Sequence, residues 1–331
     1  MARSPHSRPP LRPGLGGALA GLLLLAALLG LVGRAPMLFD AISAFFVQIA
    51  ALAALVFLWA LLRRRLAPAL IAGATVAVAA LGAPEALRGP ERAAAPGPTR
   101  PLTLATANVY YGNEELPALI EALDGIAADI LITVETPRAL WEAPGRLAAR
   151  YPYRRIEYQA DRSWGVAVWS ALPPAAEARP AQGGNPRHVL LPLDLGDGGS
   201  PLRVMGLHMD WPVFGEQARI HDDFDRFWRA FRPPGPIMIA GDFNAAPWSA
   251  LVARVEAVSG ARVVSGLRLT WAGGVGGKAG RVFVPGGLPI DQVLLTDGIG
   301  VRAARTAALP GSDHRAVIVE TEVPLARPPG D

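Results

Sequence analysis

The sequence predicts an α/β sandwich, with β-sheets packed face to face and helices outside them, preceded by an N-terminal transmembrane helical region. Three observations support this prediction. Long apolar runs fill residues 14–82, whereas residues 102–325 alternate short apolar runs with amphipathic segments. Of the 331 residues, 51% are hydrophobic and 18% are charged, which excludes a disordered chain. The absence of cysteine excludes disulfides, thiolate metal sites and a cysteine nucleophile.

The first predicted domain, residues 1–82, is a membrane anchor with three transmembrane helices. The uncharged run 14–33 would extend about 30 Å as a helix, which matches the hydrocarbon core of a bilayer. Two further runs follow, 37–62 and the shorter, alanine-rich 66–82. Helices satisfy their own backbone hydrogen bonds inside lipid, so three helical spans are the simplest interpretation. A cleaved signal peptide is the alternative for the first run, because a basic stretch precedes it.

Arginines set the expected orientation of this anchor. Arg3, Arg8 and Arg12 precede the first run, and Arg63–Arg65 separate the second run from the third. The positive-inside rule places both groups in the cytoplasm. An odd number of spans then puts the rest of the chain on the extracytoplasmic side of what we expect to be a bacterial inner membrane. The runs contain few polar residues and no charged pair, which disfavours a channel or transporter subunit.

The charge of the chain is unevenly distributed, which changes what it says about binding partners. A net charge of +4 and an isoelectric point near 9.9 would suggest nucleic acid or a membrane surface as the partner. Residues 1–100, however, hold ten arginines and three acidic residues, whereas the remainder is net negative, at −3. The basic character therefore belongs to the N-terminal third. Within it, residues 83–101 are rich in proline and alanine and are predicted to form a linker.

Residues 102–325 form the second predicted domain, and residues 326–331 form a short tail. Short apolar runs predict eight strands, at 102–109, 130–134, 164–169, 189–195, 202–207, 237–240, 290–295 and 316–323. Helices are predicted at 115–127 and at 216–231, where apolar residues recur at the spacing of one helix face. Many strands with a few interspersed helices indicate two packed sheets with helices outside.

Polar residues of one chemical type lie at the ends of these strands. They are Asn108, Glu135, His208, Asp242, Asn244, Asp291, Asp313 and His314. Each alone is better explained as a turn or cap residue, but eight together are not. Oxygen ligands without thiols suit Mg²⁺ or Mn²⁺, and the histidines supply a phosphate donor and a general acid or base. The set therefore predicts metal-assisted hydrolysis of a phosphate ester by water.

Six motifs carry a family resemblance. In order they read TANV (106–109), VET (134–136), GLH (206–208), GDFNA (241–245), IDQV (290–293) and SDHR (312–315). This ordered set resembles the endonuclease/exonuclease/phosphatase superfamily, which includes the deoxyribonuclease I-like enzymes. The resemblance covers about residues 102–325. It implies a four-layer sandwich of two mixed β-sheets flanked by helices, and the Thr270-Trp271 pair resembles a segment common before the IDQV position.

The resemblance also implies a metal site. By motif, Glu135 corresponds to the main ligand of Mg²⁺ or Mn²⁺, and Asn108 and Asp313 complete or support the site. One position departs from the family pattern, because Gln292 stands where the family often has histidine after the aspartate. Since a strand alternates faces, Gln292 is expected to point away from Asp291, so its identity does not exclude activity.

The same resemblance implies roles for the other strand-end residues. Asp242 corresponds to the residue that orients or deprotonates the attacking water, with Asn244 beside it on the phosphate. His208 corresponds to a phosphate-contacting histidine. Asp291 and His314 correspond to an Asp–His pair, in which His314 contacts the scissile phosphate or aids proton transfer.

Substrate identity is left open by the sequence. The second domain has one lysine, Lys278, and no dense basic cluster, which lowers the expectation of processive binding to duplex DNA. A lipid head group, nucleic acid or a small phosphate ester all fit a membrane-tethered hydrolase. The glycines of 272–280 form no dinucleotide fingerprint, so no nicotinamide or flavin cofactor is expected. The alternative is a catalytically silent, membrane-tethered binding module that retains the fold, against which the intact set of polar residues argues.

Overall fold

The structure is a computed structural model. It describes residues 14–32, 37–87, 90–158, 162–176, 187–210, 222, 224–229, 235–275 and 282–326.

Within the described residues, four helices form an N-terminal bundle. They are α1 (Leu15–Val32), α2 (Met37–Ser43), α3 (Phe46–Leu62) and α4 (Leu66–Gly82). Alanines fill the interior of this bundle, because small side chains let the helices approach one another closely. The leucines of α1, α3 and α4 lie largely on the outside.

The predicted membrane spans correspond to these helices, but with different lengths. A turn at residues 44–45 divides the second run into α2 and α3. The 18 residues of α1 and the 17 of α4 extend about 27 Å and 26 Å, which is less than a bilayer core of about 30 Å. Over the described ranges, no helix is both long enough and apolar enough to cross a membrane. The transmembrane helices predicted at 14–33, 37–62 and 66–82 are therefore not confirmed.

The first β-sheet has six strands. They are β1 (Thr99–Asn108), β2 (Ile130–Pro137), β3 (Tyr153–Tyr158), β4 (Trp164–Ser170), β12 (Gly300–Ala308) and β13 (Arg315–Pro324), in the spatial order β12-β13-β1-β2-β4-β3. The neighbours β1 and β2 are parallel and are joined through helix α5 (Leu116–Ile126), whereas the other pairs are antiparallel. Two short helices, α6 (Arg138–Glu142) and α7 (Leu147–Arg150), follow β2.

The second β-sheet has five strands. They are β5 (Arg187–Leu193), β6 (Leu202–His208), β7 (Ile237–Asp242), β8 (Ala261–Val263) and β11 (Asp291–Thr296), in the spatial order β5-β6-β7-β11-β8. Here β6 and β7 are parallel and the other pairs are antiparallel. Helix α8 (Ala250–Ser259) lies between β7 and β8 in sequence, and β9 (Gly274–Val275) pairs with β10 (Val282–Phe283) as a separate ribbon.

Alternating side chains build the core, as the pleat of a strand requires. On one face of the first sheet, Leu104 and Ile132 belong to the same buried cluster as Val204 and Val293 of the second sheet. On the other face, apolar residues of β1 and β2 pack against α5. The outer face of the second sheet packs against α8 and the helical residues 224–229. The fold is therefore an α/β sandwich of two mixed sheets flanked by helices, called here the sandwich domain (residues 99–326).

All eight predicted strands are confirmed to within a few residues. The short strands β8, β9 and β10 were not predicted, and neither were β3 and β12. Both are edge strands of the first sheet, and their sequences, YRRIEY and GVRAARTAA, are polar or alanine-rich rather than apolar. Of the predicted helix 216–231, residues 222 and 224–229 are helical and the remainder lies outside the described residues. Part of the predicted linker is held on β12, because Arg92 and Val301 exchange two backbone hydrogen bonds.

Candidate active site

The strand ends of both sheets meet at one edge of the sandwich. In the second sheet, His208 pairs with Asp242 at the end of two parallel strands, and Asp291 is the antiparallel partner of Asp242. Asn108 ends β1 in the first sheet and links the two sheets. Its Nδ2 donates hydrogen bonds to Glu135 Oε1 at 3.1 Å and to Asp242 Oδ2 at 3.0 Å.

Local backbone geometry turns Glu135 out of its strand. The pairing of β2 with β4 is irregular between Thr133 and Thr136, and Glu135 has a φ of 55°. A left-handed conformation is unfavourable for a residue with a side chain, and such strain is typical of functional sites. A hydrogen bond of 2.7 Å between the hydroxyls of Thr133 and Thr136 braces the irregularity, and the Tyr111 backbone N–H donates to Glu135 Oε2 at 3.2 Å.

Glycine at the start of the GDFNA motif is required by close strand packing. Gly241 has a φ of 152°, and a Cβ at this position would overlap the carbonyl oxygen of Leu207 on β6. Asn244, three residues later, has a φ of 49°. Its backbone N–H donates to Asp242 Oδ1 at 2.8 Å and its Nδ2 donates to the Met209 carbonyl at 2.8 Å. The motif therefore forms a tight turn that holds Asp242 and Asn244 together.

His314 lies between two buried carboxylates. Its Nδ1 is 2.8 Å from Asp291 Oδ2, and its Nε2 is 3.9 Å from Asp242 Oδ2. Burial alone would lower the pKa of His314, but the charge of Asp291 and the hydrogen bond to it raise the pKa to about 10. The ring is therefore an imidazolium at neutral pH, able to donate from Nε2 to an anionic oxygen.

For Asp242, burial and a neighbouring negative charge disfavour the ionised form. Complete burial and the nearby charge of Asp291 raise the pKa of Asp242 to about 7, although His314 and hydrogen bonds from Asn244 and Asn108 act against this rise. A carboxylate whose pKa lies near neutrality can take a proton from water and release it again. Asp242 and His314 thus form a buried pair suited to exchange protons with bound groups.

The donor set fits a hard divalent cation. Ligand atoms of Glu135, His208 and Asp242 lie within 4.8 Å of one another, as do those of Asp242, Asp291 and His314. The two carboxylates of the first group are the oxygen ligands that suit Mg²⁺ or Mn²⁺, whereas its imidazole is more typical of zinc, copper, iron or nickel sites. In the second group, the His314 ring is already engaged by Asp291. The first group is therefore the better candidate for a metal site.

Two of the predicted metal-site residues, Asn108 and Asp313, are engaged in hydrogen bonds. Asn108 turns its amide nitrogen toward the carboxylates, while its Oδ1 accepts a hydrogen bond from the Tyr110 backbone at 3.0 Å. Asp313 is exposed, and its Oδ2 accepts a hydrogen bond from Trp271 Nε1 at 2.9 Å. The charge of Asp313 also contributes to the raised pKa of His314. Asn108 thus bridges the two sheets, and Asp313 lies at the edge of the cluster.

Further residues support the site. Thr270 Oγ1 accepts the backbone N–H of Asp291 at 3.2 Å, and Ser312 donates to the Asn108 carbonyl at 2.7 Å. The Trp164 ring lies 5.4 Å from the His208 ring. The Thr270-Trp271 pair had a signal in the sequence as a resemblance, whereas nothing in the sequence pointed to Trp164. Gln292 bonds with Ser265, Ala245 and Pro289 and is fully buried, which makes it a structural residue.

Comparisons with known proteins give one family. The sequence profile of the endonuclease/exonuclease/phosphatase family matches residues 105–314. An endonuclease/exonuclease/phosphatase from Bacteroides vulgatus has 15% identity and a TM-score of 0.52, over 68% of this chain and 100% of that one. TDP2 from D. rerio, complexed with a single-strand DNA product, has 15% identity and a TM-score of 0.52, over 67% and 98%. A family protein from Bacteroides thetaiotaomicron has 15% identity and a TM-score of 0.50, over 69% and 100%.

These structural likenesses show a shared fold, and no curated protein matches this chain in sequence. The match to the family profile is stronger evidence of family membership, because it extends over most of the sandwich domain. Since the match covers more than half of the chain and includes every strand-end residue from Asn108 to His314, the protein belongs to the endonuclease/exonuclease/phosphatase family.

Proposed function

We propose that the protein is a membrane-anchored, divalent-metal-dependent hydrolase of phosphate esters that uses water as the nucleophile. The observation that carries this proposal is the buried His314 ring between Asp291 and Asp242, beside the Glu135–His208–Asp242 group. A binding module would have no need for buried, like-charged carboxylates around a histidine, because such an arrangement costs stability and is typical of catalytic sites.

Glu135 is the proposed main metal ligand, with Asp242 and His208 within reach of the same ion. Asn108 supports this site through its hydrogen bonds to Glu135 and Asp242, and Asp313, at the edge of the cluster, is held by Trp271. Mg²⁺ or Mn²⁺ bound there would act as a Lewis acid on the phosphoryl oxygens. No nicotinamide or flavin takes part in the proposed chemistry.

The remaining residues act on water and on the phosphate. Asp242 orients the attacking water and accepts its proton. Asn244 uses its Nδ2 to bind the Met209 carbonyl, so its amide oxygen assists Asp242 in holding the water. His314 donates from Nε2 to a phosphoryl oxygen, and Asp291 holds its ring by the bond to Nδ1. His208 makes a second phosphate contact from the neighbouring strand.

The apolar exterior of the helical bundle (α1 to α4) supports the membrane part of the proposal. Leu22 is 63% exposed, Leu55 is 64% exposed and Leu70 is 64% exposed, so three helices present apolar side chains outward. Lipid is the proposed cover for these leucines. Arg63–Arg65 follow α3, at the end about 25 Å from its first residue, Phe46. By the positive-inside rule, these arginines are proposed to be cytoplasmic and the sandwich domain extracytoplasmic, at a bacterial inner membrane.

Activity is tested with the full-length protein purified in detergent. Bis-p-nitrophenyl phosphate, the corresponding monoester, DNA, RNA, sphingomyelin and inositol phosphates are each assayed with Mg²⁺ or with EDTA. The DNA arm has support from the DNA product bound to TDP2 from D. rerio. The proposal requires Mg²⁺-dependent turnover of at least one substrate, with losses in His314→Gln and Asp242→Asn. Asp297→Asn, at an exposed acid, is the control. Equal, background-level turnover by the wild type and both site variants would favour the silent binding module.

Topology is tested by single-cysteine labelling, which is straightforward because the natural chain has no cysteine. Asp297→Cys reports on the sandwich domain, and Arg64→Cys reports on the arginine turn. In spheroplasts, a membrane-impermeant maleimide should label Asp297→Cys at once and Arg64→Cys only after lysis. The reverse pattern would refute the proposed orientation, and release of the protein by alkaline carbonate would refute the anchor.

A further inference from the structure

Among the hydrogen bonds of the described residues that join the helical bundle to the sandwich domain, two sets involve side chains of the bundle. In the first, the Asp40 carboxylate of α2 accepts the backbone N–H groups of Ala250 at 2.9 Å and Leu251 at 3.3 Å. The first N–H groups of a helix have no partner within it, and a carboxylate is favourable there. Ser249 satisfies the next N–H group of α8, that of Val252. Asp40 thus completes the N-terminus of a helix that begins six residues after Asn244.

In the second set, α3 binds a turn of the sandwich domain. Gln48 Nε2 donates to the Gly287 carbonyl at 2.7 Å and to the Pro285 carbonyl at 3.2 Å. Gly287 has a φ of 85°, and a Cβ there would overlap the carbonyl oxygen of Trp271. The turn therefore lies between Gln48, which binds it by hydrogen bonds, and Trp271, against which it packs closely.

From this turn, a short path of contacts leads to the candidate active site. Leu288, next to Gly287, exchanges backbone hydrogen bonds with Trp271 at 2.8 Å and 3.0 Å. Trp271 Nε1 then donates to Asp313. Asp291 lies three residues after Leu288, which places it at most about 11 Å further along the chain.

Apolar packing follows the same path across the boundary between the two parts. One contiguous cluster of buried side chains contains residues of the bundle and residues beside the site: Phe46, Ala79, Ala83, Ala246, Trp248, Trp271, Leu288 and Ile290. Trp248 also donates from Nε1 to the Ser43 carbonyl at 2.8 Å. The two parts therefore share a core and are not joined only by the segment that links them in sequence.

We propose that Asp40 and Gln48 are positioning residues for the candidate active site, so that the helical bundle is a structural part of the catalytic apparatus as well as an anchor. Gln48 holds the 284–287 turn, which holds Trp271 and through it Asp313. Asp40 holds the start of α8 behind Asp242 and Asn244. Displacement of reacting groups by about 1 Å can cost about 100-fold in rate. The catalytic consequence rests on the proposed hydrolase function, whereas the mechanical coupling does not.

Hydrogen exchange of the full-length protein tests the coupling without any assumption about activity. Gln48→Leu removes both hydrogen bonds to the turn, and Gln48→Glu keeps the length of the side chain while removing the donor. Leu52→Ala on the same helix is the control, because Leu52 is exposed. We expect backbone exchange in 284–291 to be about tenfold faster in both Gln48 variants and unchanged in Leu52→Ala. Asp40→Asn should accelerate exchange at 250–253 instead.

Kinetics then test the consequence for catalysis. With bis-p-nitrophenyl phosphate at saturating Mg²⁺, the Gln48 variants should lose about tenfold in kcat with KM within about twofold of wild type, because groups are misplaced rather than lost. Unchanged exchange at 284–291 in both Gln48 variants, or equal acceleration in Leu52→Ala, would overturn the proposal. Changed exchange with unchanged kcat would also overturn it. A wild type without turnover would refute the proposed function, and exchange would still decide the coupling.

Discussion

Removal of the charge beside His314 gives the sharpest test of the site chemistry. Asp291→Asn keeps the shape of the side chain and an oxygen that can accept the Nδ1 hydrogen, so it removes the charge with little change in packing. In the wild type, burial is the largest single influence and lowers the pKa of His314, but the charge of Asp291 and its hydrogen bond, with the charges of Asp242 and Asp313, together raise the pKa to about 10. Without the Asp291 charge, burial is opposed by less, and we expect the pKa to fall to its ordinary value of about 6.5.

The expected loss of activity follows from the two pKa values of His314, in the wild type and in Asp291→Asn. At pH 8, a group with a pKa of about 10 is about 99% protonated, whereas one with a pKa of about 6.5 is about 3% protonated. If the imidazolium is the active form, Asp291→Asn loses about 30-fold or more in kcat/KM at pH 8. At pH 6, the same variant is mostly protonated, so the loss from ionisation shrinks to about twofold or less.

The assay is the pH dependence of kcat/KM between pH 5.5 and 9.5 at saturating Mg²⁺. The alkaline limb is the reporter, since a cation near Asp242 would shift the acidic limb by itself. Asp297→Asn, the same chemical change at a carboxylate that is 89% exposed, should reproduce the wild-type profile. An equal loss for Asp291→Asn at every pH would refute the reasoning, because Asp291 would then act by geometry and not by holding the proton on His314.

Three further predictions follow from the same contacts. Gly241→Ala should destabilise the fold by about 3 kcal/mol or more in urea unfolding, because its Cβ would overlap the Leu207 carbonyl at a φ of 152°. Gly125→Ala, with open space around its Cβ on α5, should be neutral or slightly stabilising, and equal effects would contradict the packing argument. EDTA should abolish turnover, and Mg²⁺ should restore it. The Glu135→Gln variant should need at least about tenfold more Mg²⁺ than the wild type for its half-maximal rate. An unchanged Mg²⁺ requirement would exclude Glu135 as a metal ligand. In EDTA, folding raises the pKa of His314, so protonation of His314 stabilises the folded state. This stabilisation is fully present below about pH 6.5 and is lost as the pH rises toward 10. His314→Gln should flatten this decline in thermal melts, and an unaltered decline would assign it to other groups.

Much of the fold could be predicted from local pattern. Strands such as β2 and β7 are short apolar runs because both of their faces are buried. β7 ends at Asp242 as the change to polar residues indicated, whereas β2 continues past Glu135 to Pro137. The edge strands β3 and β12 escaped prediction, because an edge needs few apolar side chains and their pairing is supplied by β4 and β13. Likewise the turn at residues 44–45 interrupts a run that contains no glycine or proline to mark it.

The sequence by itself determined which chemical groups line the candidate site, since the eight polar residues lie at the ends of the predicted strands. Only the tertiary structure decided how these groups act on one another. The raised pKa values of Asp242 and His314 come from burial and from charges brought together from separate strands. The attachment of Asp40 and Gln48 to the sandwich domain joins residues more than 200 positions apart. Strand periodicity is a local property of the chain, whereas distances, burial and electrostatic coupling arise only when both sheets and the bundle pack together.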